Sequence, residues 1–165
     1  RAVAEYILEK GGQPVRERVG HSFIKATLRE KDGIFGGELA GHYYFKDNYY
    51  ADCAVLAVVE VLNLLWRGDK TLSEHVEPLL RYAKSLEINF EVEDKAAKIE
   101  ELAEKFSDGQ IDYLDGITVA YPDWWFNVRP SNTEPYLRLV LEAETDGDLA
   151  DRRAGLQSIL GTPAE

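Results

Sequence analysis

The chain contains no methionine and only one cysteine, Cys53. A lone thiol closes no internal disulfide, and no Cys/His cluster has the spacing of zinc ligands. Cys53 lies in an apolar run, where a free cysteine behaves as a small core residue; this suits a cytoplasmic protein. Long hydrophobic runs are also missing. The longest, Cys53–Leu65, is interrupted by Glu60 and Asn63 and is too short to span a bilayer. The first residues, Arg1-Ala2-Val3-Ala4-Glu5, have no basic region followed by an apolar core, so no signal peptide is expected. They read as starting inside a helix, which leads us to expect a piece of a longer chain. Positive charge is scarce too: 19 Lys and Arg against 30 Asp and Glu give a formal net charge of -11. Such a field repels nucleic-acid phosphates and anionic lipid, so neither is an expected partner. Any anion site must therefore work through local donors. No repeat or low-complexity tract is present.

Hydrophobic residues at 45% and charged residues at 30% describe a globular chain of 165 residues, enough for one ordinary domain or two small ones. Val3, Ile7 and Leu8 mark a helix ended by Gly11-Gly12. The alternation of Val15, Glu17 and Val19 predicts a strand over Gln13–Val19, Ser22–Glu30 a helix, and Ile34–Glu38 a strand. Asp52 is placed to cap a buried helix over Cys53–Leu65. The alternation of helix and strand implies a layered α/β unit with a largely parallel sheet over residues 1–70. A charged stretch, Trp66–Thr71, leads to a boundary in Lys70–Glu77. Residues 71–165 then read as a smaller α+β domain with a mostly antiparallel sheet. Its strands are Leu86–Val92, Ile111–Leu114, Ile117–Tyr121, Trp124–Val128 and Tyr136–Glu144. Its helices follow Asp94 and span Leu149–Leu160. Asp115-Gly116 is a tight-hairpin signal.

Two loops carry candidate chemistry. In Arg129-Pro130-Ser131-Asn132-Thr133-Glu134-Pro135, an arginine fork, two hydroxyls and an amide match the donors a phosphate needs; the same residues also make an ordinary polar turn. In Gly36-Gly37-Glu38-Leu39-Ala40-Gly41-His42, a carboxylate on a glycine-rich turn can accept sugar hydroxyls; a glycine bulge with an incidental acid is the alternative. A third point is Gly20-His21-Ser22, where a histidine can exchange protons near neutral pH or Ser22 can cap the helix, with Lys25 solvated one turn on.

The order Gly20-His21-Ser22 with Lys25, then Gly37-Glu38-x-x-Gly41-His42, then Asp52, then Arg129-x-Ser131-Asn132-Thr133-Glu134-Pro135 resembles the third and fourth domains of the α-D-phosphohexomutases over essentially the whole chain. The resemblance implies an incomplete third domain, without its opening strand and a lysine before Arg1, followed by the fourth. It implies that one carboxylate, Glu38, accepts two sugar hydroxyls, with His42 supporting the loop. Arg129, Ser131, Asn132 and Thr133 would hold the phosphate that is not transferred. His21 would be a candidate general acid/base. The implied ligand is a hexose phosphate, and the implied partners are the N-terminal domains of the same protein. The catalytic phosphoserine and the magnesium-binding aspartate loop belong to those domains; no Asp-x-Asp-x-Asp occurs in this chain. Magnesium is thus expected for the whole enzyme and no cofactor for this part. Ala40 departs from the family loop, which usually has serine there. Asn132 favours the phosphomannomutase/phosphoglucomutase branch over phosphoglucosamine mutases, which usually have glycine. A non-enzymatic phosphosugar-binding module and a phosphoglucosamine mutase are the competing expectations.

Overall fold

The computed structural model describes residues 1–131 and 134–164. The chain divides into two compact units, Val3–Leu79 and Leu80–Glu165.

In the first unit, α1 (Ala2–Glu9) ends where the Gly12 amide turns back onto the Ile7 carbonyl at 2.8 Å. Residues 13–18 then form no ladder, so the expected strand over Gln13–Val19 is corrected to irregular chain. Its alternation is real, but a strand needs a neighbour for its backbone groups, and none lies beside it among the described residues. Instead Thr27 donates to Glu17 at 2.5 Å, tying the segment to α2 (His21–Glu30). Gly20, not Ser22, is the N-cap of that helix. Two short strands follow, β1 (Phe35–Gly37) and β2 (Tyr43–Phe45), the second unforeseen from the sequence. They pair antiparallel, with Gly36 opposite Tyr44. No parallel ladder forms among the described residues, so the helix–strand alternation overstated the sheet. An isolated antiparallel bridge places Asp52 opposite Tyr44. Helix α3 (Ala54–Trp66) is capped by half-buried Cys53 without a side-chain bond, because the Asp52 carboxylate is used elsewhere. Although apolar, α3 buries none of its residues, contrary to the expected buried helix. A capping box between Thr71 and Glu74 starts α4 (Leu72–Val76).

The second unit is α+β. β3 (Ala83–Lys84) and β4 (Ile88–Glu91) run along one edge of β8 (Tyr136–Ala143). The strand expected from Leu86 begins two residues later; Leu86 itself is exposed and outside the ladder. The sheet continues from β8 through β7 (Trp124–Pro130) and β6 (Ile117–Ala120) to β5 (Gln110–Asp112), all antiparallel. Asp94 caps α5 (Lys95–Lys105) by accepting from the Ala97 amide at 3.0 Å, and Thr145 caps α6 (Asp146–Leu160). One sheet face presents Trp124, Phe126 and Val128 from β7 and Leu137, Leu139 and Leu141 from β8 to a core shared with Leu102, Leu156 and Ile159 of the two helices. Because side chains alternate along a strand, Arg129 and Arg138 stand on the opposite face, directly across from each other.

Candidate sugar and phosphate sites

The loop between β1 and β2 holds Glu38 and His42. It closes tightly: the Glu38 amide donates to the His42 carbonyl at 2.9 Å, and the Gly41 amide to the Glu38 carbonyl at 3.0 Å. Gly41 has a φ of 86°, a left-handed conformation that favours glycine. Glu38 accepts a short hydrogen bond from the Tyr44 hydroxyl on its Oε1. The Tyr44 ring is fully buried and lies under the Lys25 ammonium, whose Nζ is 5.6 Å from the ring centre; Lys25 is therefore half-buried rather than simply solvated. Burial, and then the Glu38 carboxylate, push the Tyr44 phenol upward, so it stays a donor. His42 Nδ1 meets Asp52 Oδ2 at 2.6 Å, while Asp52 Oδ1 accepts from the Tyr43 amide at 3.0 Å. That pairing raises the His42 pKa above the usual histidine value and, with the Tyr43 amide, lowers that of Asp52. Asp52, expected as a helix cap, is thus a loop brace. His21 is the exposed first residue of α2, directly after Gly20, whose φ is 136°.

In the second unit, Arg129 is the penultimate residue of β7, just before the chain turns back into β8. Its Nη2 donates to Glu87 Oε2 at 2.7 Å. The other oxygen of Glu87 meets Arg138 Nη1 at 3.2 Å, and Arg138 Nη2 meets Glu134 at 2.5 Å. One carboxylate therefore separates two guanidiniums that would otherwise repel across the ladder. Buried Ser131 donates its amide to the Tyr136 carbonyl at 2.9 Å and accepts from the Glu134 amide at 3.3 Å. Lys95 Nζ reaches the Glu134 carbonyl at 3.2 Å. Asn132 and Thr133 lie outside the described residues. Four of Arg129's five N–H donors have no partner among the described residues, and none of its nitrogens is a buried orphan. The hairpin turn backs onto this arginine: a Cβ on Gly116 would stand 2.2 Å from the Val128 carbonyl oxygen and 2.6 Å from Arg129 Cα.

Glu87, Arg138, Lys95 and Tyr44 were not foreseen from the sequence. Arg138 occupies the alternate face to Leu137 and Leu139 in the β8 pattern, but only the register brings it opposite Arg129. Among the described residues no three His, Cys, Asp or Glu side chains are gathered where they could hold a metal ion. No helix is long and apolar enough to cross a membrane among the described residues.

Residues 1–82 match the family model described as phosphoglucomutase/phosphomannomutase, alpha/beta/alpha domain III, and residues 87–156 match the phosphoglucomutase/phosphomannomutase C-terminal domain. The phosphomannomutase of Methanocaldococcus jannaschii is 39% identical over 160 residues, covering 97% of this chain and 36% of that protein. A phosphomannomutase of Escherichia coli is 37% identical over 152 residues, covering 90% and 33%. A solved phosphoglucomutase/phosphomannomutase family protein from Burkholderia thailandensis superposes with a TM-score of 0.80 at 33% identity, covering 99% of this chain and 36% of that one. The chain thus spans about a third of the length of the curated relatives it matches.

Proposed function

Because the chain belongs to the phosphoglucomutase/phosphomannomutase family, matching its domain III and its C-terminal domain, we propose that it is the sugar- and phosphate-recognition part of a mutase. That mutase interconverts hexose 1-phosphate and hexose 6-phosphate through a bisphosphorylated sugar. The observation that carries this reading is the state of the two loops. Each joins neighbouring antiparallel strands, and its functional side chains are already braced by residues behind them.

The chemistry follows from what these residues can offer. In such a reaction the bisphosphorylated sugar turns around between two transfers, so the grip must suit both orientations. Arg129 and Ser131, with Asn132 and Thr133, hold the phosphate that is not being transferred. Arg129 brings charge-assisted, directional bonds, which matter more against a net charge of -11. Glu38 accepts sugar hydroxyls, His42 supports that loop, and His21 is the candidate proton carrier near the reacting hydroxyl. Positioning is the contribution of this chain. The phosphoryl-carrying serine and the magnesium ion belong to preceding domains in this reading, and a cytoplasmic location goes with it.

Two measurements test the proposal. In a coupled mutase assay the purified 165-residue chain gives no turnover, and measurable turnover sinks that part of it. Titrated with glucose 1-phosphate or mannose 1-phosphate, the chain shows amide shifts at Glu38–His42 and around Arg129. Arg129→Ala abolishes the second set. Equal shifts in wild type and variant, or none in either, refute phosphate binding at this loop.

A further inference from the structure

The two functional side chains of the β1–β2 loop are each held by one residue, and those two residues face each other. Tyr44 lies opposite Asp52 in the isolated antiparallel bridge. Tyr44 donates its hydroxyl to Glu38, and Asp52 accepts from His42. We propose that Tyr44 and Asp52 form a pair of positioning residues, the first aiming Glu38 and the second aiming His42, while neither touches the sugar. This rests on the sugar-binding reading of Glu38 and His42.

The physical case starts with Tyr44. Its ring is completely buried, and a buried phenol hydroxyl needs a hydrogen-bond partner. Glu38 Oε1 is the partner it has. A glutamate side chain carries three rotatable bonds, and immobilising it costs binding free energy unless it is already held. The bond to a rigid, packed ring removes that freedom in advance. It also changes what Glu38 presents: Oε1 is engaged, and Oε2 has no hydrogen-bond partner among the described residues. A single carboxylate accepting two hydroxyls on equal terms is thereby replaced by one principal acceptor.

Asp52 acts similarly on the other side chain. With Oδ1 anchored on the Tyr43 amide and Oδ2 on His42 Nδ1, it fixes the ring's tautomer and leaves Nε2 without a partner among the described residues. The charged groups acting on this pair are Glu38 on the same loop and Lys25 from α2. Both braces belong to the short segment Tyr43–Asp52, so one bridge sets the two functional side chains relative to each other.

Tyr44→Phe keeps the buried ring and removes only the hydroxyl. Dissociation constants for glucose 1-phosphate and for inorganic phosphate, read by NMR titration of the 165-residue chain, separate the sugar loop from the phosphate loop. We expect Tyr44→Phe to weaken glucose 1-phosphate binding about 5- to 10-fold, the usual effect of one hydrogen bond, and to leave inorganic phosphate unchanged. Asp52→Asn should lower the His42 imidazole pKa toward its ordinary value and weaken the sugar phosphate in the same way, again sparing inorganic phosphate. Tyr44→Phe and Asp52→Asn binding glucose 1-phosphate like wild type, while Glu38→Gln loses it, overturns the inference and keeps the sugar site. Glu38→Gln binding like wild type, or no sugar-loop shifts in wild type, overturns the sugar-binding reading itself. If Tyr44→Phe fails to fold, Asp52→Asn at its exposed position decides: an unmoved His42 pKa overturns the proposal.

Discussion

Glu87→Ala tests how the Arg129 loop is built. The carboxylate lies 2.7 Å from Arg129 and 3.2 Å from Arg138. At an effective dielectric constant of about 20, these separations correspond to roughly 6 and 5 kcal/mol of gross attraction. Most of that is offset by desolvation and by the entropy of three ordered side chains. Exposed pairs retain about 0–1 kcal/mol, while removing one partner of a buried pair costs about 3–5 kcal/mol. The side chains here are 14%, 23% and 28% exposed for Arg129, Arg138 and Glu87, between those limits. The expected loss is therefore about 2 kcal/mol, since Glu87→Ala also leaves two guanidiniums facing each other unscreened. For a unit of this size, that lowers Tm by roughly 8–16 °C. Thermal unfolding followed through Trp124 and Trp125 of β7 reads it. Arg138→Ala combined with Glu87→Ala relieves the repulsion, so the double variant should lose about 1 kcal/mol less than the sum of the singles. A Tm change below about 2 °C for Glu87→Ala, or strict additivity in the cycle, refutes the argument.

Gly116→Ala meets both a φ of 66° and a contact of 2.2 Å with the Val128 carbonyl oxygen, so it should cost about 2 kcal/mol or more and displace Arg129; chemical denaturation together with phosphate titration checks both effects. The His42–Asp52 pair predicts a pH dependence in the first unit. The folded-state pKa of His42 is raised, so its contribution is full below the ordinary value of 6.5 and fades as pH rises through the higher folded value. Asp52 is lowered from 3.8, so its contribution is present above that value and fades as pH falls through the lower one. Unfolding of the first unit measured across pH should show a decline on the alkaline side that Asp52→Asn removes.

Much of the second unit was legible because its signals are local. Asp94 caps a helix, Asp115-Gly116 turns a hairpin, and strict alternation in Tyr136–Glu144 sends Leu137, Leu139 and Leu141 inward. The first unit was less legible. Alternation in Gln13–Val19 promised a strand, but alternation does not supply a neighbouring ladder. Asp52 looked like a helix cap because it precedes an apolar run. A carboxylate goes to its best donors, and those were a ring nitrogen ten residues back and the Tyr43 amide.

The sequence alone determined the candidate residues: Glu38 and His42 on a glycine-rich turn, and Arg129 with Ser131 on a polar turn. It also revealed the family resemblance, because motif order and spacing are properties of the chain. Tertiary structure decided how those groups are held. Tyr44 under Glu38, Asp52 behind His42, and Glu87 between Arg129 and Arg138 are contacts spanning 6, 10, 42 and 51 positions. Hydrogen bonds and ion pairs depend on distance in space, and only pairing of strands and closure of loops brings such residues within reach.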